Sequence, residues 1–175
     1  MRRTFLRLGA AAVLLAALPA PAAGGWEKFF LPFLGDLRAE AGEARKAGKA
    51  GVLLMFHFDE CPYCAKMKNE VLSRPEVQRY FGERFVSVAI DTRGAQAVTG
   101  FDGRTLPEKE FASSLGLRAS PTFRFHSADG RQIAEHQGAI YDPAEFILLG
   151  EYVASGAYRN ASFTVYKQSK QKRGS

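Results

Sequence analysis

The sequence predicts an α/β domain: a four-stranded mixed sheet flanked by helices, with an N-terminal extension and an insert before the third core helix. Three observations carry this. Two short apolar runs, residues 52–58 and 85–91, are separated by helix-forming sequence, which is the pattern of a βαβ crossover with parallel strands. Thr122-Phe123-Arg124-Phe125-His126 alternates and is followed by Ala128-Asp129-Gly130-Arg131, a turn into an antiparallel partner at 132–137. Charged or amphipathic segments with stop and start signals lie between and after the strands.

Taken in order, Met1–Arg7 is basic, Leu8–Leu18 apolar, and Ala20-Pro21-Ala22 small, the three-part layout of an export signal over residues 1–23. The paired Arg2 and Arg3 fit the twin-arginine route or an ordinary Sec signal. A domain at 24–160 and a basic tail at 161–175 complete the division. Trp26–Phe33 is an aromatic cluster expected to pack on the body. Residues 36–47 read as a helix ended by Gly48, and 52–58 as a buried strand. Arg74-Pro75 starts a helix through Phe81 ahead of the strand at 85–91. The insert, 92–106, is polar with a turn at 101–104, and is read as a small hairpin, a lid or plain decoration. Pro107 is expected to open a helix through Leu115, and Asp142-Pro143 one that ends near Gly156.

The net charge is +6 and the pI 9.5, but both reflect the ends. Without Arg2, Arg3 and Arg7 the charge is +3, and without the tail cations Lys167, Lys170, Lys172 and Arg173 the body is near −1. No element clusters basic with aromatic residues, so nucleic acid is not a predicted partner. The tail is expected to be solvated and frayed.

The chemistry lies in Cys61-Pro62-Tyr63-Cys64, which holds both cysteines of the chain. With Cys61 at the cap, Pro62 takes the first helical position, where its missing N–H costs nothing. Cysteines three apart share a helix face and stand within disulfide reach. The helix start favours a Cys61 thiolate, expected to be exposed, with Cys64 one turn inside as the resolving thiol. The carboxylates of Asp59 and Glu60 would oppose that stabilisation. Zinc is disfavoured because a second cysteine pair is absent and His57 lies four residues away on a strand. A structural bridge across so short a loop would add little stability. No metal and no cofactor are called for.

Ser120-Pro121-Thr122 stands at the start of the strand that neighbours the one leading into the cysteines. The residues alone favour a trans bond, since about 5–6% of X–Pro bonds are cis. A cis bond would turn the Ser120 backbone toward the dithiol and leave it free for an extended substrate.

Strand, Cys-Pro-Tyr-Cys, helix and Ala119-Ser120-Pro121-Thr122-Phe123 together resemble the thioredoxin superfamily, over roughly residues 52–154. The resemblance implies a thioredoxin fold, a cis Pro121 and a thiol–disulfide oxidoreductase. Cys61 and Cys64 would be catalytic, with Pro62, Tyr63, Ser120, Pro121 and Thr122 binding substrate. More narrowly, Phe101-Asp102-Gly103, Glu108–Ala112, the Ser120–Phe123 turn and Phe146, Glu151-Tyr152-Val153 and Gly156-Ala157-Tyr158 are similar to exported SoxW-type thioredoxins, periplasmic proteins associated with bacterial sulfur oxidation. That likeness implies protein disulfides as substrates and a membrane-bound electron donor; with no evident dimerisation domain, a monomer is expected. Two departures stand out: Glu60 replaces the tryptophan before the first cysteine, and Met55 occupies the place of a buried aspartate. Cys-Pro-Tyr-Cys also occurs in glutaredoxins, but no glutathione clamp is evident. A disulfide oxidase or isomerase, and a non-enzymatic binding module, are the competing readings.

Overall fold

Why the central strand reads as an unbroken apolar run becomes clear from its position. β1 (Gly51–His57) is buried along its whole length, with partners on both edges and helices on both faces. In the computed structural model, which describes residues 25–173, β1 runs parallel to β2 (Phe85–Asp91). It runs antiparallel to β5 (Thr122–Ser127), which pairs antiparallel with β6 (Gln132–Gln137). The strand order is β2-β1-β5-β6, a four-stranded mixed sheet. The residues read as an export signal lie outside the described residues.

Alternation along β1 separates two cores. Leu53 and Met55 point to the face covered by α3 (Pro75–Arg84) and α5 (Pro143–Ala154), where Phe81, Phe146, Leu149 and Val153 meet Phe123 and Phe125. Val52, Leu54 and Phe56 point to the other face, against Leu37, Ala41 and Ala44 of α1 (Leu37–Lys46) and Ala112 of α4 (Glu108–Ser114). Both cysteines belong to the first core. Phe146 is its hub: its ring stacks on Phe81 at 4.6 Å and lies 5.1 Å from Phe123 and 6.0 Å from Phe29. Gly150 lets α5 come close, for a Cβ there would fall 2.7 Å from the Tyr80 ring and 2.9 Å from that of Phe81.

The N-terminal extension packs as expected, through Phe29, which is buried against Phe81. The insert is a two-stranded hairpin, β3 (Ala97–Thr99) and β4 (Thr105–Pro107). It is not a lid. Val98 is buried against the α1 face, and Phe101 stacks on His126 at the end of β5 far from Pro121. Pro107 closes β4 and caps α4 rather than lying inside it, its φ of −57° and ψ of 147° suiting both.

The tail corrects the sequence reading. Residues 163–173 form α6 (Phe163–Arg173) rather than a frayed end. Phe163 and Tyr166 lie 5.6 and 5.5 Å from the Tyr152 ring, and Lys167 and Lys170 pair with Glu145 and Glu151 of α5. Two of the cations that read as a solvated run thus face the acids of the neighbouring helix. No described helix is long and apolar enough to cross a membrane.

Candidate active site

α2 (Pro62–Met67) begins where β1 ends. Cys61 is its cap and Pro62 its first residue. The helix then widens into a π turn at Lys68–Leu72, a local irregularity that the helix-forming sequence conceals. Cys61 and Cys64 form a disulfide with their Cα atoms 5.2 Å apart. The Cys64 amide donates to Cys61 Sγ at 3.2 Å, so the first sulfur sits on an N–H that would favour its thiolate.

The Ser120–Pro121 peptide is cis, and Ser120 lies over the disulfide. Ser120 O lies 3.6 Å from Cys61 Sγ, and Ser120 Oγ 3.3 Å from Cys64 Sγ. Strands β1 and β5 are neighbours, which is how residues about sixty apart in sequence meet here.

Two expectations need correction. Cys61 is not exposed: only 2% of it is accessible, because the 119–121 loop lies over it. Its surroundings include the polar groups of Ser120, so burial here is not sealing in apolar packing. The Thr122 side chain is turned inward rather than toward the cleft. It is fully buried, its hydroxyl donates to Ala119 O at 2.7 Å, and it is registered between Phe56 and Gln137. Its work is to hold the loop.

The rim has two sides. Tyr63 is 62% exposed, and beyond it Tyr141 carries the Lys66 ammonium 4.4 Å above its ring. Across Ser120 opens a cleft of about 340 Å³ lined by Thr92, Ser113, Leu117, Arg118, Ala119 and Ser120. Arg118 was not singled out by sequence reasoning, since nothing in a lone loop arginine marks it. Glu60, which takes the tryptophan position, pairs with Arg93 at 2.9 Å, and that guanidinium lies 4.0 Å over the Phe58 ring. The acid beside the cysteine is thus answered by a local cation. The pair is exposed, so its worth is small.

Behind Cys64 lies a second cleft of about 260 Å³, lined by Trp26, Phe58, Asp59, Cys64, Ala65, Lys68 and Asn69. Lys68 is buried with its Nζ 3.2 Å from His57 Nδ1 and 4.2 Å from the Trp26 ring. Burial pushes the ammonium below its usual 10.5, against the pull of Asp59, Asp91 and Glu27. Burial, then the Lys68 charge, pushes His57 below 6.5. Spacing held a hint, because Lys68 follows Cys64 by four and so shares its face. Among the described residues no cluster of histidine, cysteine and acid could hold a metal.

His126 and His136 are also pushed below 6.5, by burial first. A ring whose folded value is lowered binds its proton less readily than the unfolded chain does. Its contribution is whole above 6.5 and is lost as pH falls from 6.5 toward the lowered value. Each ring takes away up to about 1.4 kcal/mol per pH unit inside its window. Melting temperature is therefore expected to drop between pH 7 and 5.5. Nearer 4.5 the raised carboxyls of Glu40 and Glu108 act in the opposite sense. A flat profile from 7 to 5.5 would contradict the burial of these rings.

Comparison with known proteins gives the family. A family model described as a thioredoxin-like domain matches residues 37–154. No curated protein is matched. Among solved structures, a thioredoxin-fold protein from Helicobacter pylori aligns with a TM-score of 0.67 at 18% identity, over 86% of this chain and 96% of that one. A DsbH oxidoreductase aligns with a TM-score of 0.55 at 20% identity, over 83% and 95%. A thioredoxin from Thermus thermophilus does so with 0.54 at 25% identity, over 73% and 91%.

Proposed function

We propose, from the premise that the chain belongs to the thioredoxin-like domain family, that it is a periplasmic thiol–disulfide oxidoreductase reducing protein disulfides through Cys61 and Cys64. One observation carries the reading: a disulfide at a helix start, its first sulfur on the Cys64 amide and beside the Ser120 backbone. In the reduced protein the Cys61 thiolate attacks a substrate disulfide and forms a mixed disulfide. Cys64 then attacks Cys61 Sγ, expels the substrate thiolate and leaves Cys61–Cys64 oxidised.

Substrate chain passes over Ser120, between the cleft beside Ala119 on one side and Pro62 and Tyr63 on the other, with Pro121 shaping the loop. The substrates are disulfides of exported proteins, of the kind handled in sulfur oxidation or cytochrome c maturation. A membrane-bound donor re-reduces the pair, and the protein works as a monomer. What supports the location is the layout of residues 1–23, basic, apolar, then small.

Two experiments test this. A Cys64→Ser variant expressed with its own leader should accumulate mixed disulfides on Cys61, and mass spectrometry of the trapped partners names the substrates. Redox titration of the pair decides direction: reductants of this fold lie at about −270 mV and strong oxidants at about −120 mV. A potential on the order of −150 mV would assign the protein to disulfide formation or shuffling instead.

A further inference from the structure

Resolution of a mixed disulfide requires Cys64 to lose a proton, and Cys64 is only 1% exposed. Ordinary thiols hold their proton to about pH 8.5, so at neutrality a buried one needs a nearby base. Ser120 Oγ, 3.3 Å from Cys64 Sγ, is a neutral hydroxyl that can pass a proton on but cannot keep it. Met55, at the centre of β1, has no basic atom. The cleft that Cys64 lines holds two side chains that can accept a proton, Lys68 and Asp59.

We infer that Lys68, which lines that cleft and is backed by His57 of β1, takes the proton of Cys64 when the mixed disulfide is resolved. The assignment rests on the oxidoreductase reading above. Its geometry is specific. Lys68 opens the π turn directly after α2, one helical turn beyond Cys64, and lines the cleft as a buried side chain with His57 Nδ1 3.2 Å away. The cleft is large enough for several waters, whose share of liquid volume is about 30 Å³ each. Lys68, Asp59 and Asn69 supply them with polar partners. Facing the ammonium are His57 from β1, Asp59 beyond it, Asp91 at the end of β2, and Glu27 and Trp26 from the N-terminal extension. Burial lowers the affinity of both nitrogens for protons, so each gives its proton up more readily than in water.

The step balances. The uncharged Lys68–His57 pair takes the proton of Cys64, giving a thiolate beside a singly protonated pair. The thiolate displaces the substrate sulfur from Cys61, the departing thiolate takes a proton from solvent, and the pair returns its own through the mouth of the cleft. Lys68 is in these terms a proton-exchange residue serving Cys64, not a group that touches substrate.

Single-turnover reduction of insulin by the reduced mature chain, acid-quenched and weighed by mass spectrometry, separates attack by Cys61 from resolution by Cys64. Lys68→Met, of similar length and without charge, is expected to form the mixed disulfide at the wild-type rate. It should resolve it at least about tenfold more slowly at pH 7, recovering as pH rises toward about 8.5. Lys68→Arg keeps a cation that cannot give up its proton and is expected to be as slow. Wild-type resolution and an unchanged pH profile in Lys68→Met would overturn the assignment. So would full rescue by Lys68→Arg, which would make the charge sufficient, or the same defect in Asp59→Asn with Lys68→Met normal, which would make the carboxylate the base. Melting curves check that each variant is folded, and Lys68→Gln replaces any Lys68→Met protein that is not. Failure of the parent reading looks different: the wild-type protein then forms no mixed disulfide at all.

Discussion

Cys61→Ser is expected to remove disulfide reduction altogether, a loss on the order of 10⁴-fold or more, as for other nucleophile deletions. A serine Oγ can still accept the Cys64 amide that now meets the sulfur at 3.2 Å, so the start of α2 has no reason to unwind. What disappears is the atom. A hydroxyl is not ionised at neutral pH and cannot join a mixed disulfide. Insulin reduction followed by turbidity reads the loss directly. Stability must be compared with reduced wild type, because the oxidised protein also carries a bridge of sequence separation 3, worth about 2 kcal/mol in the chain-entropy account. Retained binding of a partner protein by Cys61→Ser, with its effect on that partner unchanged, would instead reveal a binding module. Residual reduction above one part in a hundred would point to a second nucleophile, and among the described residues no other cysteine exists to supply it.

The parts of this molecule visible in its sequence are those governed by local patterns. β1 and β2 declare themselves by apolar runs because both are covered on two faces, and the β5–β6 hairpin by alternation and by Asp129-Gly130 at its turn. The disulfide needed only the spacing of Cys61 and Cys64. What escaped depends on who stands opposite. The tail looked solvated because its four cations were read alone, whereas Glu145 and Glu151 on α5 and the Tyr152 ring give α6 a surface to dock on. Thr122 was read for its place after Pro121, and the burial of its side chain beneath the loop depends on the strands either side of it. Cys61 looked exposed because it caps a helix, and the loop that covers it is 59 residues away in the chain. Lys68 drew no notice in the sequence, and His57 was weighed only as a metal ligand. Their partnership across α2 and β1 is a tertiary fact, legible only once the helix is laid on the sheet.

Phe146→Ala is expected to cost about 3–5 kcal/mol, the usual penalty for emptying a buried phenylalanine site. Few positions here can lose so much. The ring is fully buried at the meeting of α5, α3, β5 and the N-terminal extension, in contact with Phe81, Phe123 and Phe29 at once. Collapse cannot fill the void cheaply, since those neighbours are themselves fixed by Phe85, Phe125 and the close passage of Gly150. Against a total stability of about 5–15 kcal/mol the loss is a large fraction, and at about 2–4 °C per kcal/mol it should lower the melting temperature by about 10 °C. Urea unfolding should move its midpoint and keep its slope, because the same surface is exposed. The cysteines share this core, and Phe123 lies two residues beyond Pro121, so the same substitution loosens the floor beneath the active site. Phe146→Leu, which keeps most of the volume, is expected to recover more than half of the loss. A drop of less than about 1 kcal/mol in Phe146→Ala would mean that the aromatic cluster does not bear the weight its geometry assigns to it, and that the sheet is held on its other face, where α1 and α4 cover Val52, Leu54 and Phe56.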